Sequence, residues 1–204
     1  MPRWCGRGAP EATRGRPGSG LAEPFCLYGD GPYCRAMTRV AIIGNAGGGK
    51  STLGRRLAAL HDLPLYSVDQ LQWRPGWVAA PEDELGAQLD QISATGRWIV
   101  DGWGPWSSLE RRLHASDTII FVDLPLWMHF WLAAERQIAA ARGEDRVDHI
   151  AGCDQLDVTK RLFEAIWRID QDLKPRLERL LGRYKSGRDY RHITSIEGLN
   201  ALAA

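Results

Sequence analysis

The chain contains few lysines, few asparagines and no long apolar segment. Its longest mostly apolar run extends from Leu124 to Ala134, includes His129 and is followed by Glu135, whereas a membrane-spanning helix needs about 18 consecutive apolar residues. The 26 basic residues are balanced by 25 acidic ones, so bulk positive charge cannot hold the protein on DNA. The sequence therefore predicts a soluble protein without a membrane span, and direct binding to nucleic acid is not expected.

Cysteine is scarce, and three of the four cysteines lie in residues 1–36. This segment has 7 glycines, 5 prolines, no apolar periodicity and no Cys-x-x-Cys pair, so it predicts neither a packed core nor a zinc site. It lacks the apolar stretch of a secretory signal, although its five arginines leave a transit peptide open as an alternative. We predict a disordered extension, which a start of translation at Met37 would remove. Cys153 would then be the one remaining thiol, as expected for a protein of the reducing cytoplasm.

Residues 37–204 are predicted to form one domain, because apolar runs and helical periodicity alternate from Met37 onward. Val40 to Ile43 is a continuously apolar run, typical of a strand buried on both faces of a parallel sheet. Pro175 is expected to kink or divide its helix near residues 172–174. Five strands interleaved with helices predict an α/β fold with a doubly wound parallel sheet. The predicted strands are 40–43, 65–68, 98–100, 118–122 and 190–194, and the predicted helices are 50–61, 82–95, 126–142, 155–182 and a last one near the end of the chain.

The strongest motif lies at the first predicted turn from strand to helix. Residues 44–51 read Gly-Asn-Ala-Gly-Gly-Gly-Lys-Ser and match the phosphate-loop (P-loop, Walker A) pattern G-x-x-x-x-G-K-[ST] in full. Glycines let successive backbone amides point at phosphate oxygens near a helix N-terminus. Lys50 supplies charge to the β- and γ-phosphates, and Ser51 offers its hydroxyl to Mg²⁺. The predicted nucleotide-binding residues are Gly44, Asn45, Ala46, Gly47, Gly48, Gly49, Lys50, Ser51 and Thr52.

Two missing motifs narrow the class of nucleotide-binding protein. A GTPase would need an Asn-Lys-x-Asp segment to recognise guanine, but the chain has only Asn45 and Asn200, and neither is followed by lysine. The Leu-Ser-Gly-Gly-Gln signature of transporter ATPases is also absent from the sequence. These absences favour a compact kinase-like phosphotransferase, in which the protein mainly positions the reactants and neutralises charge.

Two aspartates follow predicted strands at the edge of the sheet where α/β proteins bind ligands. Asp101 follows the strand 98–100, and we expect it to hold Mg²⁺ together with Ser51. Asp69 follows the strand 65–68, and we expect it to bind the acceptor or to deprotonate its hydroxyl. For each of them the alternative is a solvated aspartate at a strand end. Asp123, after the fourth strand, is predicted to be structural and to cap the next helix.

Arginines are predicted to supply positive charge in the transition state. Arginine is also favourable at a helix C-terminus, so a solvated helix end is the alternative. The polar segment 143–146 is expected to form a small lid that closes on the phosphates and excludes water. Arg111 and Arg112 follow Asp101 in sequence and are candidates for binding a phosphate of the acceptor. The predicted lid arginines are Arg136, Arg142 and Arg146.

Seven of the nine tryptophans fall into two groups by position. Four lie in predicted loops after the carboxyl ends of strands, where an indole could stack on a flat acceptor or pack within the lid; they are Trp73, Trp77, Trp103 and Trp106. Three others lie in predicted helices and are expected in the core; they are Trp127, Trp131 and Trp167.

Taken together, these segments resemble the topology modulation proteins, a family of bacterial relatives of adenylate kinase. The resemblance rests on the phosphate loop, the block from Asp69 to Trp77, and the segments 98–102 and 117–125, and it covers about residues 37–200. It implies a P-loop NTPase of the nucleoside-phosphate-kinase type, with strand order 2-3-1-4-5 and with ATP and Mg²⁺ as cofactors. Leu132 stands where adenylate kinases usually have arginine, so AMP is not the expected acceptor.

Two classes of function follow from the sequence. The first is an ATP- and Mg²⁺-dependent phosphotransferase that acts on a nucleotide or another small acceptor and works as a monomer. The second is a regulatory ATP-binding protein that influences DNA topology or a partner through nucleotide-dependent closure. The residues expected to be catalytic in the first class are Lys50, Asp69, Asp101, Arg136, Arg142 and Arg146.

Overall fold

Five short strands form a parallel sheet at the centre of the computed structural model, which describes residues 37–144 and 149–202. The strands are β1 (Arg39–Gly44), β2 (Leu65–Ser67), β5 (Trp98–Asp101), β6 (Thr118–Val122) and β7 (Asp189–Ile193). They lie in the order β2-β5-β1-β6-β7, and all neighbours are parallel. Counted within this sheet the order is 2-3-1-4-5, which confirms the predicted topology. Residues 1–36, for which an extension was predicted, lie outside the described residues.

Helices cover both faces of the sheet, as a doubly wound fold requires. They are α1 (Lys50–His61), α2 (Val68–Gln72), α3 (Glu82–Ser93), α4 (Trp106–Ala115), α5 (Leu126–Ala141), α6 (Thr159–Arg168), α7 (Lys174–Gly182) and α8 (Ile196–Ala201). The pattern of apolar residues in the sequence had not predicted α2 or α4. It had also not predicted a small antiparallel hairpin, which consists of β3 (Trp73–Arg74) and β4 (Val78–Ala79). None of the helices in the described part of the chain is long and apolar enough to cross a membrane.

The alternation of side chains along β1 divides the core into two layers. Ala41 and Ile43 pack with apolar residues of α3, α4 and α7. Val40 and Ile42 pack on the opposite face with apolar residues of α1 and α8. All four side chains are completely buried, so β1 is the central strand and its carboxyl end, where the phosphate loop begins, lies in the middle of the sheet edge.

The helix that contains Pro175 is divided by a change of helix type. A π-helical turn, Ile169–Leu173, joins α6 to α7, and the backbone N–H of Lys174 bonds to the carbonyl of Ile169. Because proline has no N–H group, the regular α-helical bonding cannot pass through it, and the wider turn absorbs the mismatch. The predicted division near residues 172–174 is therefore confirmed.

The prediction that the three helical tryptophans lie in the core is wrong. Trp127, Trp131 and Trp167 are 63%, 60% and 56% exposed. In α5 the buried positions include His129 and Ala133, and Trp127 and Trp131 each lie two residues earlier, about 200° away around the helix. Since α5 is apolar on most of its circumference, its sequence did not reveal which side faces the sheet.

Candidate functional site

The phosphate loop adopts the backbone that its glycines permit. It connects the end of β1 at Gly44 to the start of α1 at Lys50. Gly47 and Gly49 have φ of 71° and 77°, in the left-handed region that side chains with a Cβ disfavour. A Cβ at Gly47 would also lie 2.6 Å from the backbone oxygen of His129. Glycine is thus required at position 47 both for its conformation and for the space beside α5.

Lys50 lies over the loop that precedes it. Its ammonium group donates a hydrogen bond of 2.8 Å to the backbone carbonyl of Asn45. A phosphate entering the loop would exchange this bond for a charge-assisted one, which is the stronger interaction. Lys50 is therefore poised for the role that the motif predicts.

Ser51 and Asp101 come together next to Lys50, as predicted. The Ser51 hydroxyl donates to Asp101 Oδ2 at 2.6 Å, and Asp101 is only 4% exposed. The other carboxylate oxygen, Oδ1, is buried and has no hydrogen-bond partner in the described residues. Burial raises the pKa of Asp101, while the nearby charge of Lys50 and the bond from Ser51 act in the opposite direction.

This pair of residues fits a magnesium ion. Mg²⁺ prefers hard oxygen ligands and is usually bound through one or two carboxylates with retained waters. The buried Oδ1 atom of Asp101, which lacks a partner in the described structure, and the hydroxyl of Ser51 beside it, are oxygen donors of this kind. The register of the sheet pairs Asp101 with Ile42 of β1 and with Ser67 of β2, which fixes the carboxylate beside the phosphate loop.

A cavity of about 380 Å³ opens above these groups. Asp69 on α2 and Arg136 on α5 line it from two sides. The side chain of Asp69 is exposed, and it contributes to raising the pKa of Asp101 through charge repulsion. The predicted site residues that line this cavity are Gly44, Ala46, Lys50, Ser51, Asp69, Asp101 and Arg136.

Other predicted residues do not line this cavity. Thr52 is exposed on α1, where its hydroxyl accepts a hydrogen bond from Arg55 at 3.3 Å. Arg142 is exposed at the C-terminal end of α5. Arg146, together with part of the predicted lid, lies outside the described residues.

One wall of the cavity was missed by sequence reasoning. Val158, which immediately precedes α6, and Arg161, Leu162 and Ala165 of α6 line the cavity, at the i, i+3, i+4, i+7 spacing of one helix face. The sequence predicted a helix over residues 155–182 but did not indicate that these four residues face a cavity.

The hairpin of β3 and β4 forms the outer wall of the cavity. Gly76 donates its backbone N–H to the carbonyl of Gly152 at 2.8 Å, and Trp77 Nε1 donates to the carbonyl of Asp154 at 2.6 Å. Cys153, which is buried, donates its thiol to the carbonyl of Arg74. The hairpin is thereby joined to the segment that precedes α6, and together they cover the site.

The four loop tryptophans divide between this cavity and the packing behind it. Trp73, Trp77 and Trp103 line the cavity, and the rings of Trp73 and Trp77 meet edge to face, with centroids 5.8 Å apart. Trp106 packs edge to face against Trp103 instead, and the guanidinium of Arg176 lies 4.0 Å from the centre of its ring. Three indoles are therefore placed where an acceptor could stack.

The two arginines that were candidates for the acceptor phosphate have other partners. Arg112 is completely buried and donates to the carbonyls of Gly102 and Trp103 at 2.6 and 2.8 Å. Burial lowers its pKa to about 10, so it stays protonated at neutral pH. Arg111 forms a two-pronged ion pair with Asp90. Neither lines the cavity, and Arg112 supports the 102–104 loop from within.

Asp123 is structural, but it does not cap α5. Pro125 occupies the N-cap position of that helix. The Asp123 carboxylate accepts instead from Lys174 Nζ at 2.6 Å and from His192 Nε2 at 2.9 Å. It therefore links the end of β6 to α7 and β7.

Three side chains hold the phosphate loop in place through contacts that the motif does not predict. Trp103 Nε1 donates to the carbonyl of Gly44 at 2.8 Å. The side-chain amide of Asn45 donates to the carbonyl of Ile166 in α6 at 2.8 Å. His129 Nδ1 lies 2.9 Å from the carbonyl of Ala46. Sequence reasoning found no signal for these contacts, because each joins residues far apart in the chain.

Comparisons with known proteins identify the fold. Shikimate kinases are among the solved structures that match the chain. The enzyme from Acinetobacter baumannii, solved in complex with shikimate, has a TM-score of 0.50 and 14% identity, covering 82% of this chain and 89% of its own. The enzyme from Aquifex aeolicus has a TM-score of 0.43 and 19% identity, covering 81% of this chain and 90% of its own. The enzyme from Bacteroides thetaiotaomicron has a TM-score of 0.45 and 15% identity, covering 82% of this chain and 95% of its own.

Similarity at this level of identity shows the fold alone. No protein-family model and no curated protein sequence matches the chain. The resemblance to topology modulation proteins therefore gains no support from these comparisons. The chain has the α/β fold of a P-loop NTPase, in the arrangement seen in shikimate kinases.

Proposed function

We propose that the protein is an ATP- and Mg²⁺-dependent phosphotransferase that acts on a small hydroxyl-bearing acceptor. The observation that carries the proposal is the position of the bonded Ser51–Asp101 pair beside a complete phosphate loop, on the floor of a cavity that also contains Asp69. Asp69 is a second carboxylate in the same cavity, where it can accept the proton of an acceptor hydroxyl.

Each group has a distinct task in this proposal. The loop amides and Lys50 bind the β- and γ-phosphates, and Arg136 neutralises charge that spreads over the transferred group. Asp69 accepts a hydrogen bond from the acceptor hydroxyl and takes its proton as the new bond forms. Ser51 and Asp101 would hold Mg²⁺, which would neutralise negative charge on the phosphate oxygens.

The walls of the cavity favour transfer to an acceptor over transfer to water. The hairpin is hydrogen-bonded to the segment before α6 and covers the site, and exclusion of water limits hydrolysis. Three indoles line the same space, which suits a ring with apolar faces and polar edges. A nucleotide, a sugar and a hydroxy acid like the shikimate bound by the Acinetobacter enzyme all have this character.

The test is a screen of the purified full chain with ATP and Mg²⁺ against nucleoside monophosphates, nucleosides, sugars and hydroxy acids including shikimate. Formation of ADP that depends on one acceptor class, and a phosphorylated product detected by mass spectrometry, are the expected results. Lys50→Ala is the inactive control, and Lys160→Ala, a change at an exposed lysine of α6, is the matched control for loss of a charge.

Two outcomes would contradict the proposal. Tight ATP binding with no phosphorylated product from any class would favour the regulatory ATP-binding protein. Equal nucleotide affinity of the wild type and a folded Lys50→Ala variant, measured by calorimetry, would reject the phosphate-loop assignment itself.

A further inference from the structure

His129 is a buried polar residue outside the phosphate-loop motif and outside the cavity above it. It lies in the first turn of α5 and is 1% exposed. Its Nδ1 atom is 2.9 Å from the carbonyl oxygen of Ala46. A carbonyl oxygen can only accept a hydrogen bond, so Nδ1 must carry the proton in this contact.

The imidazole also packs against the loop directly. A Cβ added at Gly48 would lie 2.8 Å from Cε1 and 3.2 Å from Nδ1 of His129. One side chain therefore contacts two consecutive parts of the loop, through a hydrogen bond at Ala46 and through van der Waals contact at Gly48. A buried histidine could equally well donate its hydrogen bond to a backbone carbonyl of α5 or of a neighbouring strand. Burial alone therefore does not explain why His129 bonds to the phosphate loop.

The bond to Ala46 fixes a peptide plane of the phosphate loop. In a planar trans peptide, the carbonyl of one residue and the N–H of the next point in opposite directions. With the Ala46 carbonyl held against His129, the N–H of Gly47 points away from α5. Gly47 is conformationally free enough to let this plane turn over, and a turned plane would aim a carbonyl at the bound phosphate and repel it.

We propose that His129 is a positioning residue for the phosphate loop, which as the neutral Nδ1–H tautomer holds the Ala46–Gly47 peptide in the orientation that binds phosphate. This inference rests on the proposed nucleotide binding. His129 touches neither nucleotide nor acceptor, and its effect passes through the loop backbone.

Two substitutions separate this role from packing. Asn places an amide donor where histidine has Nδ1, so His129→Asn retains the bond to Ala46. His129→Leu fills a similar space without a donor and leaves the carbonyl unpartnered, and the loss of such a partner corresponds to a change of about tenfold in affinity. We expect the dissociation constant of a non-hydrolysable ATP analogue, measured by calorimetry, to rise about tenfold in His129→Leu and about twofold or less in His129→Asn.

Gln137→Leu is the matched control on the same helix. Gln137 is buried on α5, but its side chain accepts from Thr159 and not from the phosphate loop. This variant should bind the analogue as tightly as the wild type does. Thermal melting of all three variants reports any general loss of stability.

A spectroscopic measurement on the unmodified chain keeps the proposal testable if His129→Leu does not fold. Histidine ¹⁵N chemical shifts distinguish the two neutral tautomers, and we expect the Nδ1–H form for His129 at pH 7. An Nε2–H tautomer would overturn the proposal, as would equal affinities of His129→Leu and the wild type. Equal weakening in both His129 variants and in Gln137→Leu would show a structural role only. Failure of the wild type to bind the analogue would instead reject the proposed function.

Discussion

Trp77 Nε1 donates a hydrogen bond of 2.6 Å to the carbonyl oxygen of Asp154. The bond joins the hairpin, which follows the second strand of the sheet, to the segment that leads into α6. Asp69 and Gln72 lie just before the hairpin, and Arg161 lies just after this segment; all three line the cavity. The contact between hairpin and segment therefore closes the space in which an acceptor would meet the phosphate loop.

Gly152→Ala should disturb this closure more than Gly143→Ala does. Both glycines have a positive φ, of 73° and 72°, so both substitutions carry the same backbone strain. A Cβ at Gly152 would lie 2.8 Å from Cβ of Pro75 in the hairpin, whereas a Cβ at Gly143 would have no atom of the described residues within 4 Å. We expect Gly152→Ala to raise the KM for the acceptor several-fold and Gly143→Ala to leave it close to wild type. Equal kinetics in the two variants would show that the hairpin contact does not shape the acceptor site.

Asp101→Asn should reduce Mg²⁺-dependent turnover more than it reduces nucleotide affinity. The amide removes a negative oxygen ligand, and a metal contributes most when charge develops on the transferred group. We expect turnover to fall at least 100-fold and ATP affinity without Mg²⁺ to change less than fivefold. Turnover measured over a range of Mg²⁺ concentrations, together with calorimetry, checks this. An equal loss of turnover and affinity would remove Asp101 from the metal site.

Asp69→Asn should affect acceptor use and spare the nucleotide. Asp69 lines the cavity from α2 and is not part of the phosphate loop. General-base catalysis contributes about 10² to 10⁴ in rate, so acceptor-dependent turnover should fall by at least 100-fold. Slow ATP hydrolysis to water should persist. Loss of both activities to the same degree would mean that Asp69 serves the nucleotide and not the acceptor.

The stability of the protein should decrease as pH falls from about 7 to about 5. Burial lowers the pKa of His129 and of His61 below the ordinary 6.5. The folded state keeps these side chains neutral while the unfolded chain binds protons, so their contribution is complete above about pH 6.5 and is lost as pH falls toward the lowered values. Asp101, whose pKa burial raises above 3.8, has the opposite effect as pH falls through its raised pKa.

Urea unfolding at several pH values measures this dependence, and His129→Leu isolates one of its sources. Between pH 7 and 5 the variant should show a shallower slope of unfolding free energy against pH than the wild type. An unchanged slope would contradict the assignment of a lowered pKa to His129.

A chain that begins at Met37 should melt at the same temperature and bind ATP with the same affinity as the full chain. The expectation rests on composition, since 7 glycines and 5 prolines in residues 1–36 and the lack of an apolar face provide little surface to bury. Differential scanning calorimetry and isothermal titration compare the two chains. A truncated chain that melts several degrees lower would show that the segment belongs to the domain.

The sequence by itself determined the features that depend on local order along the chain. The phosphate loop is contiguous, and its glycines, Lys50 and Ser51 act through the backbone that they themselves form. The continuously apolar run of β1 marks it as a buried strand, and its place before the loop puts the loop at the edge of the sheet. Asp101 could be paired with Ser51 because both follow strands whose carboxyl ends meet at that edge.

Tertiary structure alone decided the features that depend on which distant segments pack together. The apolar surface of α5 permits several orientations, and only packing against the sheet places His129 beside the loop and leaves Trp127 exposed. Arg111 and Arg112 are adjacent and chemically identical, yet one pairs with Asp90 in solvent and the other is buried under the 102–104 loop. Periodicity records how much apolar surface an element has to bury, and the contacts that bury it are chosen by the other elements of the fold.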